Sequence, residues 1–266
     1  NTRTGLIDRY RVHGVDQLRP KAFLPLVIRD SSDPWGMLVH SFREVIGRFT
    51  PLPAEKSAEF SGVSVKKLPP VRVVEEGAVR TVVEAVMGYN DSSLVLTYKL
   101  PARGTEIEVQ VRVFWNEKEK MLKLSLPTVD RRARYLGQVI YGREELRSNG
   151  DECVAQKWVA AVSDARGQAL SMINDGTYGS DFKAGEIRLS LLRSPAYSAH
   201  PIFDRPVVLQ NRFQPRIDQG ERLFTFWLNG GPADERLAVI DREALTKNEK
   251  PVALSFCPSG QGKKPA

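Results

Sequence analysis

The sequence has few of the residues that build metal sites and disulfide frameworks. It holds two cysteines, three histidines and no apolar run near the ~20 residues that a membrane helix needs. Cys153 and Cys257 lie about a hundred positions apart with no CxxC spacing, so they make no disulfide framework and read as two half-buried thiols or a lone bridge. His13, His40 and His200 show no metal-ligand spacing, and there is no HExxH. A GxSxG elbow, a P-loop and a dinucleotide GxGxxG are also missing, which argues against the common serine hydrolases and nucleotide enzymes. No signal peptide opens the chain, and with no membrane span the expected location is cytoplasmic. Charge is not short: 39 Lys+Arg stand against 32 Asp+Glu, a net +7. The excess is dispersed, however. Lys66-Lys67, Arg131-Arg132-Arg134 and Lys263-Lys264 are the densest groups and acidic residues separate them, so no nucleic-acid partner is expected.

What is present is strand pattern. Of the 266 residues, 41% are apolar, enough to bury a core, and most of the chain alternates with a period near two. In Glu106–Trp115, Ile107, Val109, Val111 and Val113 point one way, while Glu106, Glu108, Gln110 and Arg112 point the other. Met121–Leu126 answers it across a turn at Asn116-Glu117-Lys118. Further strands are expected at Arg80–Val86, Ser93–Leu100, Leu136–Tyr141, Gln156–Ser163, Ala169–Asn174, Glu186–Leu192, Arg222–Leu228 and Val252–Phe256. Strand follows strand without regular helices between them, which excludes a doubly wound parallel sheet. So many half-solvated antiparallel strands require two packed sheets: an all-β fold, a large antiparallel β-sandwich with one or two short helices.

Two segments break the alternation. Asp33-Pro34-Trp35 reads as a helix start, with Met37, Leu38, Phe42, Val45 and Ile46 on one face and Gly47 at the end. Asp241 reads as the cap of a second short helix ending before Pro251, and Asn229-Gly230-Gly231-Pro232 as a turn. Residues 1–266 are expected to be one domain, with the proline-rich stretch 50–70 as a surface excursion. Trp115, Trp158 and Trp227 lie on expected strands and read as core. Trp35, at the helix start, is the candidate for an exposed stacking ring.

The candidate site lies between Ala155 and Ser198. A strand, a tight turn, a second strand and a polar loop, Asn174-Asp175-Gly176-Thr177-Tyr178-Gly179-Ser180-Asp181, lead into a third strand ending at Arg193. The loop gathers Asn174, Asp175, Tyr178 and Asp181 at one end of a sheet, the mixture of carboxylate, amide and aromatic that a hydroxyl-rich ligand needs. Asn-Asp-Gly is equally a turn signature that needs no ligand, and Arg193 could simply pair with a neighbouring carboxylate.

The run AQKWV…NDGTYGSD…IRLSLLRSPAYS resembles the C-terminal β-domain of bacterial α-mannosidases of glycoside hydrolase family 38. Asn1–Ile7, Asp30–Trp35 and Asp218-Gln219-Gly220-Glu221-Arg222-Leu223-Phe224-Thr225-Phe226 are similar to other segments of that domain. The sequence departs from the family at Arg222, where a histidine is usual, and at Leu228-Asn229-Gly230, where Tyr-Pro-His is usual; its exit after Arg193 is less acidic.

The resemblance implies a galactose-mutarotase-like supersandwich. It implies that this chain is the C-terminal domain of a retaining, zinc-dependent α-mannosidase, with zinc and the Asp nucleophile in an N-terminal catalytic barrel that nothing here matches. No catalytic or metal-binding residue, and no cofactor, is then expected in this chain. The expected partners are the barrel of the same polypeptide and a mannoside or oligosaccharide. Arg193 matches the family's sugar-contacting arginine, with Asn174, Asp175, Tyr178, Asp181 and Trp35 as further substrate-binding candidates. A docking face left without its barrel would expose apolar surface, so a homo-oligomer is an expected state. The chain begins at Asn1 rather than Met, which suits a piece of a longer protein. The alternative is a free-standing carbohydrate-binding or interaction module without activity. A mutarotase-like enzyme would need a His acid and a Glu base facing one sugar, and only His200 lies near the loop in sequence.

Overall fold

The computed structural model describes residues 1–30, 39–196 and 213–255. The chain opens with a short hairpin, β1 (Arg11–Val12) and β2 (Val15–Asp16). β3 (Leu24–Arg29), β4 (Val45–Arg48) and β5 (Thr50–Pro51) lead to α1 (Ala54–Ser61), inside the proline-rich stretch. A meander follows: β6 (Val71–Glu76), β7 (Arg80–Tyr89), β8 (Ser92–Pro101) and β9 (Ile107–Trp115). Then come β10 (Lys120–Pro127), β11 (Arg134–Val139), β12 (Gly142–Glu145), β13 (Asn149–Val154) and β14 (Trp158–Ser163). The chain continues with β15 (Gln168–Asn174), β16 (Gly179–Lys183), β17 (Glu186–Arg193), β18 (Gly220–Pro232) and α2 (Ala233–Asn248).

Among the described residues, and apart from the β1–β2 hairpin, the strands form two facing antiparallel sheets. The larger has ten strands in the order β12-β11-β14-β15-β18-β9-β8-β7-β5, with β6 also on β7; the smaller has six in the order β13-β16-β17-β10-β3-β4. This is a large all-β antiparallel sandwich, with two α-helices among the described residues. The alternation in β9 is realised: Val109, Val111, Val113 and Trp115 have no exposed surface and face Leu122, Leu124 and Leu126 of the smaller sheet within one core. Each such buried aliphatic side chain contributes roughly 1.5–3 kcal/mol. Two hydrogen bonds cross the core between sheets, Trp115 Nε1 to Ser194 Oγ (2.9 Å) and Tyr135 hydroxyl to Ser180 Oγ (2.6 Å). Trp158 and Trp227 are also buried, in a second cluster where Ile240 and Ala244 of α2 pack on the outer face of the larger sheet.

Several expectations are corrected. β9 and β10 are not a hairpin: the turn after Trp115 carries the chain from the larger sheet to the smaller. Glu117 is buried in that turn and accepts from Ser92 Oγ at 3.0 Å. The first expected helix is not formed where it is described. Residues 39–44 are irregular and Val45–Arg48 is a strand, while Asp33–Leu38 lie outside the described residues. The backbone there is spent on neighbours: the His40 carbonyl accepts from Glu152 N (2.8 Å) and the Glu44 carbonyl from Arg29 N (2.9 Å). Gly47 does not cap a helix; a Cβ there would sit 2.4 Å from the Tyr89 ring, so the glycine admits close approach of that ring. The second helix begins at Ala233, not at Asp241, because β18 runs straight through Gly230-Gly231 to Pro232. Asp241 lies mid-helix and its Oδ1 accepts from Trp158 Nε1 at 2.7 Å. Val252–Ser255 form no strand, and Phe256 lies outside the described residues.

Candidate functional site

The structure places Arg193 and Asp181 on the outer face of the smaller sheet, away from the sandwich core. Arg193 ends β17, opposite Met121 on β10. Its guanidinium grips Asp30, just past β3, through two bonds: Nε to Oδ2 (2.6 Å) and Nη2 to Oδ1 (2.8 Å). Asp30 is 1% exposed, so this carboxylate fixes the plane of the guanidinium from below. The Arg193 amide donates to Asp218 Oδ2 (3.2 Å), and its guanidinium carbon lies 4.7 Å from the centre of the Phe42 ring. Segments far apart in sequence, around residues 30, 42, 193 and 218, therefore meet at one sheet end.

A charged array extends from there across the face. Lys123 Nζ lies 6.0 Å from the centre of the same Phe42 ring and has no exposed surface. It donates to Glu152 Oε2 and to Asp181 Oδ2, each at 2.5 Å. Arg43 bridges Asp181 to Glu186, reaching Glu186 Oε2 at 3.0 Å. Glu186 also takes Ser125 Oγ (2.5 Å) and Arg188 Nη2 (3.0 Å), and Glu152 takes Ser190 Oγ. Burial pushes the Asp181 carboxyl up from its ordinary value, against the pull of Lys123 and Arg43. Burial also pushes Glu186 up, but hydrogen bonds from Arg188 and Ser125 outweigh it and hold that carboxyl below the usual range. Arg188 Nε and Nη1 are buried without a hydrogen-bond partner among the described residues.

The other candidates separate from this array. Asn174 closes its own turn: Oδ1 accepts from Gly176 N and Thr177 N, both at 2.9 Å, and Nδ2 donates to Gln156 O (3.0 Å). Asp175 Oδ1 accepts from Thr225 N (3.1 Å), and Tyr178 is 54% exposed beside the Ala155 backbone. Trp35 lies outside the described residues.

Sequence reasoning missed Asp30, Phe42, Arg43, Lys123, Glu152, Glu186 and Arg188. A signal existed. Lys123 and Ser125 on β10, and Arg188 and Ser190 on β17, put polar groups at alternate positions on two neighbouring interior strands. What could not be read is that the segment carrying Phe42 and Arg43 would cover them.

Chemically, every carboxylate of this array is tied to a cation or hydroxyl, which leaves no unengaged acid–base pair. Among the described residues, no group of three or more His, Cys, Asp or Glu side chains could hold a metal ion, so a zinc site does not fit them. The arrangement can orient guanidinium groups rigidly toward a partner or a hydroxylated ligand.

Solved structures share the fold. An α-mannosidase from Enterococcus faecalis superposes with a TM-score of 0.65 at 10% identity, covering 88% of this chain and 28% of that one. A glycosyl hydrolase family 38 protein from the same species gives 0.64 at 12% identity, covering 88% and 29%. By fold, the chain is thus a β-sandwich unit like one that makes up under a third of these larger chains. No curated protein matches it in sequence. Residues 53–202, more than half of the chain, match the glycosyl hydrolases family 38 C-terminal domain, and the chain belongs to that family.

Proposed function

We propose that this chain is the accessory β-domain of a retaining, zinc-dependent α-mannosidase, packing against an N-terminal catalytic barrel and lending it substrate contacts. The observation that carries this reading is the family match over residues 53–202. In this reading the buried Asp30 carboxylate, with which Arg193 pairs, holds the guanidinium in one orientation for contact with sugar hydroxyls. Zinc and the nucleophile belong to the barrel in this reading. Asn174 and Asp175 shape the adjacent loop, and Tyr178 offers an exposed ring beside it.

The test is an aryl α-mannoside assay. The chain alone, with zinc supplied, gives no turnover, and the complete enzyme is active. In the complete enzyme Arg193→Ala lowers kcat/KM at least tenfold, ~1.4 kcal/mol of transition-state stabilisation. An unchanged kcat/KM removes Arg193 from the site, and turnover by the re-purified chain alone overturns the accessory-domain reading.

A further inference from the structure

The outer face of the larger sheet, on the opposite side of the sandwich from Arg193, carries an open groove of about 1200 Å³. Its floor is built from cross-strand rows on β8, β9 and β18. Thr97 stands beside Gln110; Arg112 lies between Val95 and Leu223; Phe114 lies beside Glu221. Successive rows are roughly 7 Å apart and strands about 4.8 Å apart, so the floor spans more than one sugar ring. The helix α1 raises one wall with Phe60, and Arg72 is moored there by Glu84 (2.5 Å) and Ser61 (3.2 Å).

Three apolar side chains stay open in this groove: Phe60, Phe114 and Leu223 are 47%, 50% and 61% exposed. Between them stands an ion pair, Arg112–Glu221, whose side chains are 67% and 54% exposed. A pair this exposed is worth only ~0–1 kcal/mol, so both groups can turn to a ligand at little cost.

The chemistry selects the ligand class. Arg72, Arg112 and Arg222 face Glu84 and Glu221, which leaves too little positive charge to hold a polyanion. A protein partner would have to cover the Glu221 carboxylate at the centre of the floor, and glutamates are depleted at the centres of protein interfaces. A neutral chain of sugar rings fits both features. Its hydroxyls can pair with guanidinium, carboxylate and amide groups, and its C–H faces can lie on Phe114 and Phe60. We infer that the groove binds a neutral oligosaccharide along β9, at a site separate from the Arg193 face. The identity of the sugar as mannose rests on the proposed function; the groove itself does not.

The experiment is calorimetric titration of the 266-residue chain with α-linked mannotriose and, in parallel, with maltotriose. Saturable binding of mannotriose is expected. Phe114→Ala and Arg112→Ala each weaken it at least tenfold, Phe114→Trp retains it, and Ile140→Ala, on a distant hairpin tip, leaves it unchanged. Melting curves of the four variants check that they remain folded. Saturable binding that survives both alanine substitutions overturns the groove assignment, as does the absence of binding by either sugar. Neither of those outcomes touches the Arg193 test in the complete enzyme. Saturation by maltotriose alone supports the groove and overturns the mannoside reading.

Discussion

Lys123 has no exposed surface and lies between two carboxylates, those of Glu152 and Asp181. Removing one member of a buried ionic group leaves its partners charged and unsolvated, at about 3–5 kcal/mol. Lys123→Ala is therefore expected to lower the unfolding free energy by that order in urea titration. A loss below ~1 kcal/mol would instead mark the group as solvated. Glu186 gives a pH signature. Its folded value lies below its ordinary 4.5, so its ionised form stabilises the fold above that value, and the contribution disappears as pH falls through the folded value. Glu186→Gln is expected to flatten the acid limb of the stability–pH curve below about 4.5 relative to the parent, measured as denaturation midpoints in buffers across that limb. Equal acid slopes in the two proteins would show that Glu186 is not preferentially ionised in the fold.

At the scale of elements, strands with strict alternation were legible. Ile107–Trp115, Ser92–Pro101 and Glu186–Arg193 fall within a residue or two of expectation because one polar face per strand keeps the period of two visible. The helices were legible only in part: α2 ends before Pro251 as expected, but it begins at Ala233 rather than at Asp241. Apolar spacing suggested a helix through Phe42 to Ile46, but Val45 pairs with Ile28 and Phe42 joins Leu26, Ile28 and Met121 over the sheet, so tertiary pairing overrode local periodicity. Asp241 reads as a helix cap from sequence; its carboxylate instead accepts from Trp158 Nε1. The site was half legible. Arg193 and the Asn174 turn are local signals, whereas Asp30 reaches Arg193 only through pairing 163 residues distant. The phase of α2 is testable. Ile240 is fully buried against the larger sheet and Val239 is 41% exposed. Ile240→Ala should cost about 2–5 kcal/mol, while Val239→Ala should stay within about 0.5 kcal/mol. Comparable losses of Tm at the two positions would place the helix in another rotation.

At the scale of the whole molecule, the two outer faces have different characters. The larger sheet is partly covered by α2 and holds an open groove beyond it; the smaller sheet is covered by a segment that buries a salt-bridge array. The smaller face ends at Asp30 and Arg193, and if it meets a catalytic barrel there, those two residues should act as one unit. Asp30→Asn keeps the shape but removes the charge that orients the guanidinium, so its cost should pass through Arg193. In the complete enzyme, Asp30→Asn and Arg193→Ala should each lower kcat/KM, and the double variant should be no worse than Arg193→Ala alone. Groups that share one task are strongly non-additive in this way, whereas independent sites add within about 0.3–0.5 kcal/mol. The readout is kcat/KM for all four proteins, with Tm recorded beside it to separate loss of orientation from loss of fold. If the two effects multiply, Asp30 serves the fold rather than the aim of Arg193, and the pair is an internal strut of the sandwich instead of its contact with substrate.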